Sequence, residues 1–267
     1  MTKRVLFVGD LHVGSKDALS TPEMKLFEGA EMTEQVLQCN KVQQEFYNDW
    51  ETLMDLVGPV DSVVGNGDLC EGINVKGQGE GCWSPVRATQ INTCAELLGM
   101  IDTKEFTIIN GTPYHTGVNP SNDAGVASKL RENGFRVKYA GVEEILNIDG
   151  VRIHCCHKIG VCGADKKGRV TAISRELQAA LLNEKYFGKV NGVFRSHVHY
   201  HVYVGMEDMV GMTLPCFKCR DDYAGSQSLN WVPEHGAVLV EVDNGEMSWS
   251  HQMFTLPDEL KPKDHYI

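Results

Sequence analysis

Apolar positions recur in two rhythms along the chain, and the rhythm changes near its midpoint. In the first half, short unbroken apolar runs alternate with segments of about 3.6-residue periodicity, the marks of buried strands and amphipathic helices. Val5 to Val8 predicts a strand ending at Gly9-Asp10, and Val42, Phe46, Trp50, Leu53, Met54 and Val57 then share one helical face. Val60 to Val64 predicts a second buried strand, closed by Gly65 to Asp68. A helix opening at Pro85 carries Val86, Ile91, Cys94, Leu97, Leu98 and Ile101, and a third strand from Phe106 to Ile109 stops at Asn110-Gly111. The next helix, Asp123 to Glu132, has Ser121 and Asn122 as caps and Asn133-Gly134 as its stop. Residues 13 to 40 read as an inserted polar loop. Gly72 to Pro85, holding Gly77, Gly79 and Gly81, reads as a mobile surface loop.

Beyond residue 140 hairpins take over. Glu144 to Ile148 and Val151 to Cys155 flank Asp149-Gly150, and Ala237 to Val242 and Met247 to Phe254 flank Asn244-Gly245, both strong two-residue turn signals. Between them lie a helix through Ile173, Leu177, Ala180 and Leu181, and strands near Val190 to Phe194, His201 to Val204 and Met209 to Leu214. Strand-helix alternation followed by hairpins predicts one α/β domain of mixed sheets over residues 1–256, two sheets facing each other with helices outside, and a loosely attached tail over 257–267.

Charge and composition narrow the function classes. With 25 Lys and Arg against 36 Asp and Glu, the formal charge is −11, which excludes a broad basic surface for gripping a duplex. Nine cysteines are too few for a disulfide scaffold, and the N-terminus has no signal-like apolar stretch, so reduced thiols and a cytoplasmic location are expected. No apolar run approaches the roughly 20 residues a membrane-spanning helix needs. Cys216 and Cys219 have zinc-knuckle spacing but no partner pair.

The candidate chemistry lies at the strand ends: Asp10 and His12, Asp68, Asn110 and His115, His157, His197 and His199. Residues just past the carboxyl ends of several strands in an α/β sheet converge on one crevice. Carboxylate and imidazole donors without thiolates suit Mn²⁺, Fe or Zn²⁺ in an open hydrolytic site. If the chain leaves its strand extended, Asp10 and His12, two apart, point the same way, as do His197 and His199, with His201 further along that face. His154 and His157 lie three apart on opposite strand faces, so one of them can be a ligand; His157, at the strand end, is favoured, and His154 reads as a satisfied sheet histidine. The bridging carboxylate between two ions is Asp68. Arg87, Lys158, Arg169, Arg195 and Lys218 are cations available to steady a substrate, while the roles of His201 and His235 stay open.

Taken in order, Asp10-Leu-His12, Gly67-Asp68-Leu-Cys-Glu71-Gly72, the Asn110 to His115 segment, His157 and Ser196-His197-Val-His199 resemble the five motifs of the calcineurin-like metallophosphoesterases. The resemblance spans residues 10 to 199 and implies an αββα four-layer sandwich with a dinuclear centre. It further implies that Asp10, His12 and His199 hold one metal, that His157 and His197 hold the other, and that Asp68 bridges them. The third motif departs from the family's Gly-Asn-His: either Asn110 is the ligand, or Thr112 stands in the asparagine's place, and His115, the implied proton donor to the leaving group, arrives late. Two divalent ions, Mn²⁺ first among the candidates, would generate a bridging hydroxide that attacks phosphorus in line.

The opening motif resembles the phosphodiesterase and nuclease branch, and the second motif lacks the Asp-Arg-Gly of the protein phosphatases. The expected function is therefore hydrolysis of a phosphodiester in a nucleotide or single-stranded nucleic acid. A phosphomonoesterase, and a non-catalytic scaffold that keeps the fold, are the alternatives.

Overall fold

The first apolar run becomes β1 (Lys3–Val8), the strand around which the rest is ordered. It is followed by β2 (Glu23–Glu28), β3 (Thr33–Gln38), α1 (Lys41–Val57), β4 (Ser62–Asn66), α2 (Arg87–Gly99), β5 (Glu105–Ile109), the short α3 (Pro113–Thr116), α4 (Asn122–Glu132) and β6 (Arg136–Gly141). The second half holds β7 (Glu143–Ile148), β8 (Val151–Cys156), α5 (Lys166–Leu182), the short α6 (Glu184–Phe187), β9 (Gly192–Arg195), β10 (Val202–Met206), β11 (Met209–Thr213), β12 (His235–Asp243) and β13 (Glu246–Phe254). This computed structural model describes residues 1–28, 33–73, 79–117, 121–160, 166–220 and 232–260.

Two mixed sheets result. One runs β13-β12-β1-β4-β5-β6 and the other β10-β11-β9-β8-β7. In the first, β1, β4, β5 and β6 are parallel, with β12 antiparallel to β1; in the second, β8, β9 and β11 are parallel between two antiparallel edges. Val5, Phe7, Val64, Ile109, Val238 and Val240 of the first sheet pack on Ile153, Cys155, Phe194, Val210 and Met212 of the second. Phe7 meets Phe194 edge to face at 4.8 Å. On the outer face of the first sheet, Phe46, Trp50 and Leu53 of α1, Leu97 and Leu98 of α2, and Val126 and Leu130 of α4 cover Leu6, Val63, Phe106 and Ile108. Ile173 and Leu177 of α5 cover the second. The architecture is an α/β sandwich in four layers, helices, sheet, sheet, helices.

Several local expectations change. Residues 13 to 40 are not simply a polar loop, because β2 and β3 pair as a hairpin whose Met24 and Leu26 enter the core beside α1 and α2. The alternation Met24-Lys25-Leu26 is a strand signal, hidden by its polar flanks. β6 was not expected at all; its residues are mostly half-exposed or exposed, so the apolar run that marks β1 or β4 is missing. The second strand starts two residues later than its apolar run, since Val60 is held in the approach by its N–H bond to Asp102 O. The strand expected over His201 to Val204 runs instead from Val202 to Met206. Residues 74–78 of the glycine-rich segment, residues 261–267 of the tail and Cys162 lie outside the described residues. No described helix is long and apolar enough to cross a membrane.

Trp50 anchors the first helical layer. It is fully buried, donates Nε1–H to Leu97 O at 3.1 Å and packs its ring against Phe217 at 5.2 Å. Trp50→Ala is expected to cost about 3–5 kcal/mol of unfolding free energy, read from urea denaturation; a loss below about 1 kcal/mol would contradict this role.

Candidate metal centre

Five strand ends deliver the polar side chains. Asp10 and His12 follow β1, Asp68 follows β4, Asn110 to His115 follow β5, His157 follows β8, and His197 and His199 follow β9. Three overlapping groups result, each with ligand atoms within 4.8 Å of one another: Asp10, His12 and His199; His12, Asp68 and His115; Asp68, His157 and His197. His12 and Asp68 each belong to two groups, so the sets join into one centre. Asp10 Oδ1 lies 3.4 Å from His199 Nε2, 3.6 Å from His12 Nε2 and 3.8 Å from His157 Nε2, and Asp68 Oδ2 lies 2.9 Å from His157 Nε2.

The backbone route differs from the extended one expected. Asp10, His12, Asp68, His197 and His199 all have φ between 47° and 76°, the left-handed region that non-glycine residues avoid. The two members of Asp-x-His and of His-x-His therefore meet through repeated left-handed turns, not through strand alternation. Strain of roughly 1–3 kcal/mol at each such residue persists only where the surroundings over-determine it, and it clusters at functional sites. The surroundings are visible: Asp10 N–H donates to Gly67 O, His12 N–H to Asp68 O, and His197 N–H to the Asp10 carboxylate at 2.8 Å. Gly111 allows the β5 loop to close on Asp68, since a Cβ there would lie 2.1 Å from Asp68 Oδ1.

Electrostatics explain why the cluster needs cationic partners. Burial raises the Asp10 carboxyl, but the charges of His157 and His199 and hydrogen bonds from His12 and His199 more than offset it, leaving it well below the usual range. Asp68 is lowered in the same way, chiefly by His157. Burial lowers His157, yet Asp68 and Asp10 raise it to about 10. His115 is pushed down to about 4 by burial and by His12. Asp10 Oδ1 is buried with the imidazole nitrogens of His199, His12 and His157 at 3.4, 3.6 and 3.8 Å, all longer than a good hydrogen bond, and His157 Nε2 faces the Asp68 and Asp10 carboxylates. Nitrogen and oxygen donors gathered this way fit a divalent ion of intermediate softness.

The third motif resolves in part. Thr112 donates its N–H to Asp68 Oδ1 at 2.7 Å and its hydroxyl to Asp68 Oδ2 at 2.9 Å, so it holds the bridging candidate. Asn110 keeps a buried Oδ1 without a partner, and its Nδ2 reaches Gly111 O at 3.5 Å. His115 lies on α3, its ring edge-on to His12 at 4.5 Å.

Other candidates are placed elsewhere. His154 bonds Glu143 at 3.1 Å, as a sheet histidine would. His201 donates Nδ1–H to Thr213 O and stacks near His251, away from the direction expected, because the chain turns left-handed at His199. His235 is buried against Phe46 at 4.7 Å. The Cys216 thiol contacts Lys218 O and His199 O, and burial pushes it far up. Among the expected substrate cations, Arg195 is instead buried and clamped on Glu176, Arg87 donates to Ser121 O, and Arg169 lies over the Tyr200 ring at 4.3 Å. Lys158 is exposed, and Lys218 is buried on Glu71.

Three supporting residues went unassigned by sequence. Asp123 accepts from Leu69 N at 3.1 Å and Gly111 N at 2.8 Å, tying the Asp68 loop to the β5 loop; burial and the charge of Asp68 push it up to about 7. Asn66 donates to Ser196 Oγ at 2.7 Å and its main-chain O accepts Nδ1–H of His157 at 2.7 Å. Glu71, three residues after Asp68, contacts His12 and Lys218. Its place inside the second motif was the available signal.

The sequence matches no protein-family model and no curated protein. Among solved structures, the chain is similar to a novel archaeal phosphodiesterase at 8% identity and TM-score 0.47, covering 93% of this chain and 99% of that one. A predicted phosphoesterase from Streptococcus pneumoniae aligns at 11% identity and TM-score 0.41, covering 95% and 90%. Zinc-complexed Vps29 from Entamoeba histolytica aligns at 13% identity and TM-score 0.43, covering 94% and 99%.

Gly111→Ala tests the closeness of the β5 loop to Asp68. The added methyl is expected to cost roughly 1–3 kcal/mol through overpacking and to weaken Mn²⁺ binding in calorimetric titration. Wild-type affinity together with wild-type stability would contradict the packing described.

Proposed function

We propose that the protein is a metal-dependent phosphoester hydrolase of the calcineurin-like kind, acting on a phosphodiester in a nucleotide or single-stranded nucleic acid. The observation that carries this reading is the convergence of buried carboxylate oxygens and imidazole nitrogens from separate strand ends, in three overlapping groups whose ligand atoms lie within 4.8 Å of one another. Asp10, His12 and His199 would hold one divalent ion and His157 and His197 a second, with Asp68 shared and Asn110 Oδ1 as a further donor. Mn²⁺ is the first candidate, with Fe and Zn²⁺ compatible with the same donors. Bound there, such ions supply Lewis acidity to phosphoryl oxygens and lower the pKa of water.

The chain's own groups do the rest. Thr112 N–H and Oγ–H fix the orientation of Asp68. Asn66 O fixes Nδ1–H of His157, which turns Nε2 towards Asp68. His115 donates Nδ1–H to Glu71 O at 2.9 Å, leaving Nε2 as the proton-exchanging atom beside His12 and Asp68. An anionic phosphoester offsets the burial that lowers His115, so that the ring carries a proton when the leaving oxygen needs one. Diester preference is supported by the form of the first two motifs, and a small or single-stranded substrate by the net charge of −11.

With Mn²⁺ added, hydrolysis of bis-p-nitrophenyl phosphate is expected to exceed that of p-nitrophenyl phosphate. The reverse order would make the protein a phosphomonoesterase, and silence on both and on oligonucleotides would make it a scaffold. His115→Ala is expected to keep its metal while losing roughly 10²–10⁴-fold on poor leaving groups and less on p-nitrophenolate. Equal losses on good and poor leaving groups would remove it from the proton-donor role.

A further inference from the structure

We propose that Glu71 sets the tautomer of both His12 and His115, and that Lys218 holds Glu71 in place, making Glu71 and Lys218 positioning residues of the centre. The inference rests on the metal-holding part of the function proposed above, not on its substrate. Glu71 Oε2 accepts Nδ1–H of His12 at 2.8 Å, and Glu71 main-chain O accepts Nδ1–H of His115 at 2.9 Å. A carboxylate and a carbonyl can only accept, so Nδ1 of each ring carries a proton, and in the neutral ring that a metal binds this is its one N–H. Both Nε2 lone pairs are thereby turned into the cluster that includes Asp68. One residue does this twice, once with its side chain and once with its backbone.

Its surroundings are built for the task. Glu71 N–H donates to Val13 O at 2.9 Å and Gly72 N–H to Gln90 Oε1 at 2.8 Å, so the turn is clamped on both sides. A Cβ at Gly72 would lie 1.9 Å from His115 O, which is how near the two loops come. Glu71 and Lys218 are only 8% and 4% exposed, and a buried carboxylate needs a cation; Lys218 Nζ supplies it at 2.9 Å from Oε2. The Lys218 segment is tied to the Asp10–His12 loop, with Phe217 N–H donating to Asp10 O at 3.1 Å and Cys219 N–H to Asp17 O at 2.7 Å. Lys218 thus reaches the centre from behind the ligands.

The test is ¹⁵N NMR of the histidines in the metal-free full chain, with calorimetric titration of Zn²⁺. His12 and His115 are expected as Nδ1–H tautomers; an Nε2–H signature for His12 overturns the proposal without any variant. The double variant Glu71→Met, Lys218→Met deletes the buried pair together, avoiding a lone charge. It is expected to lose the fixed tautomer of His12, keep that of His115, which depends on the backbone, and bind Zn²⁺ about 10–100-fold more weakly. Lys218→Arg should retain both readouts, and the double variant Glu71→Leu, Lys218→Leu, which likewise leaves no acceptor for His12, serves if the first double variant does not fold. A variant lacking the Glu71 carboxylate that keeps wild-type affinity and the His12 signature overturns the proposal. Wild-type protein that binds no metal overturns the function proposed above, while the tautomer signals still decide this one.

Discussion

The buried carboxylate of Asp68 is the point on which the centre depends. It is 1% exposed, and everything around it offsets the cost of keeping a charge there: His157 at 2.9 Å, the N–H and hydroxyl of Thr112, and the loop that Asp123 ties in place. Each of these partners comes from a different strand end or the helix that follows. The glycines at the approaches, Gly67 and Gly111, exist where any side chain would collide with this arrangement.

The two sheets share the work. Asp10, Asp68 and Thr112 follow strands of the first sheet, whereas His157 and His197 follow strands of the second. The distance between the two sets is therefore fixed by the apolar interface of Phe7, Val64 and Ile109 against Ile153, Cys155 and Phe194. Core packing and ligand spacing are one quantity here, and close-packed interiors hold such a spacing stiffly.

Much of this was legible in the sequence because strand ends are marked twice, by an apolar run and by the turn residues that stop it. Val5 to Val8 before Gly9-Asp10, and Phe106 to Ile109 before Asn110-Gly111, show the pattern. What was not legible lacked one of the two marks. β6 has no apolar run, and β2 alternates among polar residues, with Met24 and Leu26 turned inwards. The left-handed geometry at Asp10 and His12 was hidden because local spacing cannot distinguish an extended exit from a coiled one. Lys218 pairs with Glu71 across 147 residues, a distance over which only the folded chain brings two side chains together. Arg195, an expected substrate cation, proved to be a wall of the second sheet, since charge alone does not reveal whether Glu176 waits opposite.

The left-handed histidines carry an evolutionary corollary. Glycine and asparagine occupy that region of backbone space at little cost, so exchanging His12 or His199 for either would relax the loop while deleting a candidate ligand. If the proposed chemistry is the chain's own, drift towards inertness is downhill for folding, and selection would have to oppose it at these positions. A descendant that gave up such a reaction would inherit a sturdier molecule.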